Sequence, residues 1–145
     1  MCSSVLGLWA LKYRGAYNAS KFALEGLSDT LRLELRGSGI FVSTIEPGPI
    51  VTRFNERSIN AFLSNIDREN SAHREAYRHK LRRMQRKRPT RFSRGPEVVF
   101  SALHHALESK KPRPHYHVTN ATRLVALALR ILPRRALDWS AERMP

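Results

Sequence analysis

The segment from Ala16 to Arg36 limits the possible folds more than any other. Ser20, Leu24, Leu27, Leu31 and Leu35 recur at spacings of three and four, which predicts a helix. Phe22, Ala23, Gly26 and Leu33 make much of the remaining surface apolar too. A helix that is apolar on most sides is expected to be buried on most sides. Gly37 and Gly39 are its stop signals. Directly after them, Ile40 to Ile45 forms a β-branched run bounded by glycine before and Pro47-Gly48 after, the pattern of a strand. The run alternates poorly, as expected of a strand covered on both faces in a parallel sheet.

Near the start of that helix lies Tyr17-Asn18-Ala19-Ser20-Lys21. Tyr17 and Lys21 are four residues apart, so a helix raises both from one face. A nearby ammonium favours the ionised form of a phenol and lowers its pKa from roughly 10. A phenol tuned in this way can give or take a proton at neutral pH. Ser4 precedes Tyr17 by thirteen residues, and Glu46-Pro47-Gly48-Pro49-Ile50-Val51-Thr52 follows the strand. That loop falls at the carboxyl edge of the sheet, where open α/β sheets bind ligands.

Serine, tyrosine and lysine at this spacing, followed by a strand ending in Pro-Gly-x-x-x-Thr, resemble the short-chain dehydrogenase/reductase family. The likeness is dense from Ser3 to Phe54 and thinner to Thr119. It implies hydride transfer between a nicotinamide cofactor, NAD or NADP, and a carbonyl or alcohol carbon. By this resemblance Tyr17 is the general acid or base, and Lys21 lowers its pKa and binds the nicotinamide ribose. Ser4 hydrogen-bonds the substrate oxygen. Pro47 and Gly48 shape a turn close to the bound cofactor, and the Ile50 backbone with the Thr52 hydroxyl holds the carboxamide. The helix over 16–36 is expected to meet its twin in a homo-oligomer. The implied fold is α/β: the C-terminal part of a Rossmann-like doubly wound parallel sheet, mostly helical, with two or three short strands.

The chain departs from the family pattern in one large respect. Its seven glycines are scattered, and none forms the glycine-rich dinucleotide turn. The chain is therefore expected to be the C-terminal portion of such an enzyme, with residues 1–119 forming the Rossmann-like part. Residues 53–94 are the expected substrate-loop region, and 120–145 a basic helical extension. The alternative is a remnant, or a mis-started fragment, without activity of its own.

Net charge is +14, distributed as +1 over residues 1–52, +9 over 53–94 and +4 over 95–145. The motif-bearing part is therefore almost neutral. Residues 53–94 are expected to be helical, with Ile59, Phe62, Leu63 and Ile66 as one apolar patch. The run Arg82 to Arg88 raises a nucleic-acid reading, but no aromatics are interleaved to stack bases, so nucleic acid is not the expected partner. A helix is expected from Gly95-Pro96-Glu97 to Ser109, buried through Val98, Val99, Ala102, Leu103, Ala106 and Leu107. His115 to Thr119 should be a short strand. Ala121 to Leu132 should be a basic amphipathic helix, with a membrane surface as an alternative to packing on its own domain. A further short helix is expected from Arg134.

No metal site is expected. His115 and His117 would share a strand face, but no further ligand stands near them at ligand spacing in the sequence. Ser4 lacks the local elbow of a seryl hydrolase. The single cysteine, Cys2, excludes an internal disulfide and fits a reducing, cytoplasmic compartment. No stretch approaches the roughly 20 apolar residues of a membrane span. Val5 to Leu11 follows no charged segment, so a signal peptide is not expected. The apolar stretches Val5–Leu11 and Phe54–Ile66 point to a hydrophobic substrate such as a steroid, a retinoid or a fatty ketone.

Overall fold

The computed structural model describes residues 1–85 and 92–143. In chain order it contains α1 (Gly15–Glu34), β1 (Thr44–Glu46), α2 (Phe54–Asn65), α3 (Arg74–Gln85), α4 (Glu97–Glu108), β2 (His115–His117), α5 (Asn120–Ile131) and α6 (Arg134–Arg143). A single 3-10 turn over Val5–Gly7 precedes α1. The fold is mostly helical around a small parallel sheet, in keeping with a partial Rossmann-like α/β unit. Strands β1 and β2 pair in parallel, Thr44 with His115, Ile45 with Tyr116 and Glu46 with His117. The extended N-terminal residues add a third, less regular lane. Ile45 N–H donates to Met1 O at 2.9 Å, Ser3 N–H to Ile45 O at 2.8 Å, and Val5 N–H to Pro47 O at 2.9 Å.

Local chemistry explains where the elements start and stop. Tyr13 takes a left-handed backbone (φ 61°) just before α1, and its ring packs edge-on against His73 and Tyr77 of the α3 region. Helix α1 ends ahead of the left-handed Gly37 and Gly39. Glu97 sits in the first turn of α4, where the helix dipole favours an acid. Thr119 caps α5, its Oγ1 accepting from Thr122 N at 3.3 Å.

Burial differs from the expectation in a consistent way. Among the described residues the buried hydrophobic side chains are Leu6, Trp9, Ile45, Tyr116 and Leu137. Helix α1 buries Asn18, Glu25 and Ser28, while Leu27 and Leu33 are more than half exposed. The reason lies in what α1 packs on: the turn over Val5–Gly7 and, around Glu25, the polar side chains of Ser3 and His115. Gly7 permits this approach, because a Cβ there would stand 3.1 Å from both Lys21 O and Glu25 Cγ. Helix α4 buries none of its residues; Leu103 and Leu107 face solvent, contrary to the expected core side. Leu124, Ile131 and Leu132, the expected apolar group of α5, are also exposed, and the buried residue of α5 is Thr122.

The strand expected over 40–45 is regular only from Thr44. Ile40 and Phe41 are exposed, because β2 offers just three residues to pair with. The chain presents 10703 Å² of accessible surface. A closed monomer of this mass would present about 7600 Å². The apolar faces of α1, α4 and α5 thus stand open in this chain. Within the basic region, α2 meets α3 through Phe62 and Tyr77, whose ring centroids are 5.2 Å apart. Residues 86–88 of the expected basic run lie outside the described residues. Among the described residues no helix is long and apolar enough to cross a membrane.

Candidate active site

The N-terminal lane, β1 and the start of α1 converge at the carboxyl edge of the small sheet. Ser4 ends the lane with an extended backbone, beside Pro47 through the Val5–Pro47 hydrogen bond. Its Oγ accepts from Leu6 N at 3.2 Å and so caps the 3-10 turn. A hydroxyl that accepts one bond keeps its proton to donate elsewhere.

Tyr17 and Lys21 lie in the first two turns of α1, both partly buried. The helix brings them together as their spacing predicts: Lys21 Nζ stands 5.7 Å from the centroid of the Tyr17 ring, within cation–π reach. The same ammonium donates to Cys2 O at 3.0 Å. One cation therefore ties α1 to the strand lane two residues before Ser4. It retains further N–H donors, since an ammonium carries three.

Two neighbours of Tyr17 were not identified from the sequence. Phe54, the first residue of α2, places its ring 5.9 Å from that of Tyr17. Arg14, at the N-cap of α1, interacts electrostatically with the phenol. Burial foremost holds the Arg14 guanidinium below its ordinary range; Tyr17 opposes that shift and Arg83 adds to it. Arg14 precedes Tyr17 by three residues on a helix, a spacing that carries a signal. Phe54 carries none, because it arrives from across a loop.

The loop after β1 has two faces. At Gly48 a Cβ would fall 2.2 Å from Thr119 Oγ1 and 3.0 Å from Thr122 Oγ1. The close approach that glycine permits here is to the protein's own threonines at the start of α5. Beyond it, Arg94 N–H donates to Pro49 O at 3.1 Å and Val51 N–H to Arg94 O at 2.9 Å. That bridge uses the neighbours of Ile50 and takes neither the Ile50 amide nor its carbonyl. Thr52 is exposed; its Oγ1 accepts from Phe54 N at 3.2 Å, leaving its O–H to donate. The Thr52–Phe54 segment thus reaches Tyr17 through the Phe54 ring. For the nicotinamide end of a dinucleotide these donors fit: an ammonium, an unbridged backbone unit and a hydroxyl. For the adenosine end the chain has no glycine-rich turn to offer.

Comparison with known proteins bears on family membership. Residues 1–61 match the sequence model of the family described as short chain dehydrogenase. The chain is 45% identical over 138 residues to the uncharacterized oxidoreductase YbbO of Escherichia coli (strain K12), an alignment covering 95% of this chain and 45% of that protein. It is 32% identical over 142 residues to 17-beta-hydroxysteroid dehydrogenase type 6 of Rattus norvegicus, covering 94% and 44%. It is 31% identical over 142 residues to retinol dehydrogenase 16 of Homo sapiens, again covering 94% and 44%. The chain thus spans less than half the length of these curated relatives. Together the matches support general membership of the short-chain dehydrogenase/reductase family, as a partial domain.

Proposed function

We propose that the protein carrying this chain is an NAD(P)-dependent oxidoreductase that interconverts a carbonyl and an alcohol on a hydrophobic substrate. The observation that carries this reading is the Lys21 ammonium held between the Tyr17 ring and Cys2 O, one residue pair away from Ser4. A bound nicotinamide dinucleotide supplies or accepts the hydride. During reduction the carbonyl oxygen gains negative charge. Ser4 O–H donates to that oxygen, and Tyr17 delivers the proton that turns it into a hydroxyl. The Tyr17 oxygen then regains a proton from solvent, with the Lys21 ammonium beside its ring. In the oxidative direction Tyr17 takes the proton and the same contacts run in reverse.

A hydrophobic substrate is supported by the exposed Val51 and Phe54 beside the site, and by relatives named for retinol and 17-beta-hydroxysteroid. Phe22, Leu27 and Leu33 of α1 are exposed, and a homo-oligomer would cover part of this apolar surface. The absence of a glycine-rich turn from these residues favours a second reading for the chain by itself, that of a fragment without turnover.

One experiment separates the two. The part of the Escherichia coli relative that precedes its matched segment is fused in frame to this chain, and oxidation of NADH or NADPH is followed with hydrophobic aldehydes and ketones. We expect turnover from the fusion and none from the chain alone. A fusion that binds cofactor yet reduces no carbonyl substrate would overturn the proposal.

A further inference from the structure

The centre of this structure is not a hydrocarbon cluster but a carboxylate. Glu46 of β1 is 0% exposed. Its Oε1 accepts from Thr44 Oγ1 at 3.1 Å and faces His115 Nδ1 at 2.8 Å, while its Oε2 contacts His117 Nδ1. Both histidines come from one face of β2, and their rings stack. Helix α1 lies across this face and adds a second carboxylate, Glu25. It is 9% exposed; neither oxygen has a well-formed hydrogen bond, although the Ser3 and Thr44 hydroxyls stand near enough to favour its charged form. Glu25 Oε2 is 3.8 Å from His115 Nδ1. The Ser3 hydroxyl, close to Glu25 across Gly7, is likewise buried without a hydrogen bond. Two buried carboxylates facing each other repel unless a proton or a cation lies between them.

We propose that Glu25, Glu46 and His115 bind a divalent transition-metal ion, Zn²⁺ by the chemistry of its ligands, which fastens α1 to both strands. The three ligand atoms lie within 4.8 Å of one another. Zinc with bonds of about 2.1 Å in tetrahedral geometry has ligand-to-ligand edges of about 3.4 Å. The distances from His115 Nδ1 to Glu46 and to Glu25, 2.8 and 3.8 Å, lie on either side of that edge. An imidazole with two carboxylates suits zinc better than magnesium or calcium, which take oxygen ligands.

The surrounding groups strengthen the assignment. A metal-bound histidine characteristically gives its other ring N–H to a carboxylate. Asp29, one helical turn beyond Glu25, places Oδ1 3.4 Å from His115 Nε2. His117 holds the second oxygen of Glu46 and so fixes the first for the ion. A water completes the coordination. The ion would sit one turn of α1 beyond Lys21 and act as a fastener, without taking part in proton transfer.

The test uses the intact chain, stripped with a chelator and titrated with ZnCl₂ in a calorimeter. We expect one ion per chain, a higher melting temperature and no saturable binding of MgCl₂. Replacing Zn²⁺ by Co²⁺ should give the visible absorption of a low-coordinate site. Glu25→Gln and His115→Asn should each weaken Zn²⁺ binding about 100-fold or more, and Asp29→Asn about 10-fold. Because Asp29 is half exposed, its variant keeps the fold and decides the matter if the others do not fold. His104→Gln, a change at an exposed histidine, should have no effect. Absence of saturable Zn²⁺ binding overturns the proposal, as does binding that is unchanged in Asp29→Asn.

Discussion

Replacing Gly48 by alanine tests whether the loop that flanks the site is held by packing against α5. The added Cβ would stand 2.2 Å from Thr119 Oγ1, 3.0 Å from Thr122 Oγ1 and 3.3 Å from Thr119 Cβ. Thr119 cannot yield cheaply. It is 2% exposed, it is β-branched and stiff at χ1, and its Oγ1 both caps α5 and contacts Thr122 Oγ1 at 3.1 Å. Turning it aside forfeits a cap, about 1 kcal/mol. Holding it in place overpacks the site, at about 1–3 kcal/mol. We therefore expect Gly48→Ala to lower stability by about 1–3 kcal/mol in urea unfolding followed by circular dichroism, with an unchanged slope. In a Thr119→Ala background the cap is already gone and the clashing oxygen absent. The two changes should then be less than additive, with a coupling on the order of 1–2 kcal/mol. A Gly48→Ala chain within about 0.5 kcal/mol of the parent, or strict additivity, would refute this packing argument.

Three further outcomes follow from particular contacts. Asp67 accepts from Asn70 N and Nδ2, which hold its carboxyl below the ordinary 3.8. Its pKa is depressed on folding, so any stability it adds is present above pH 3.8 and fades as pH falls through the folded value. A carboxyl NMR titration should show the low midpoint, and Asn70→Ala should raise it. Tyr116→Phe leaves Arg113 N and His105 without the hydroxyl they share at 3.0 and 2.8 Å, and should cost about 1–3 kcal/mol by chemical unfolding. Lys21→Met, assayed in the fusion described above, should lower kcat by about 10²-fold and raise the KM for cofactor, because it removes both the cation beside Tyr17 and a remaining donor.

What the sequence discloses is what neighbours along the chain decide. The bounds of α1 and α4 follow from apolar spacing, Gly37 and Pro96, all local signals, whereas Thr119, expected to end the strand, instead caps α5. Tyr17 and Lys21 meet because a helix brings such a pair together whatever surrounds it. Which side of a helix is buried is another matter, since that depends on the surface it meets. Helix α1 meets the turn over Val5–Gly7 and the polar groups of Ser3 and His115, and Asn18, Glu25 and Ser28 go inward and Leu27 and Leu33 outward. Strand length depends in the same way on the partner, and β2 supplies three residues.

Contacts formed across the fold were the least legible. Phe54 reaches Tyr17 over a loop, and Glu46 meets His115 across 69 positions. A search for ligands at local spacing around His115 and His117 passes over both carboxylates. The register of two short parallel strands, with one helix laid across them, creates the cluster. The Pro47-Gly48 turn is a mixed case. Its position after β1 is visible in the sequence, whereas the tight seat of Gly48 on Thr119 is not.

The account rests most heavily on Tyr17 as the group that exchanges a proton with the substrate oxygen. The direct measurement is the single-turnover rate of carbonyl reduction by the fusion, with cofactor binding determined in parallel, for the parent and for Tyr17→Phe. The account predicts a loss of about 10²–10⁴-fold in rate with cofactor affinity little changed. A Tyr17→Phe protein that reduces the carbonyl at the parental rate would contradict it.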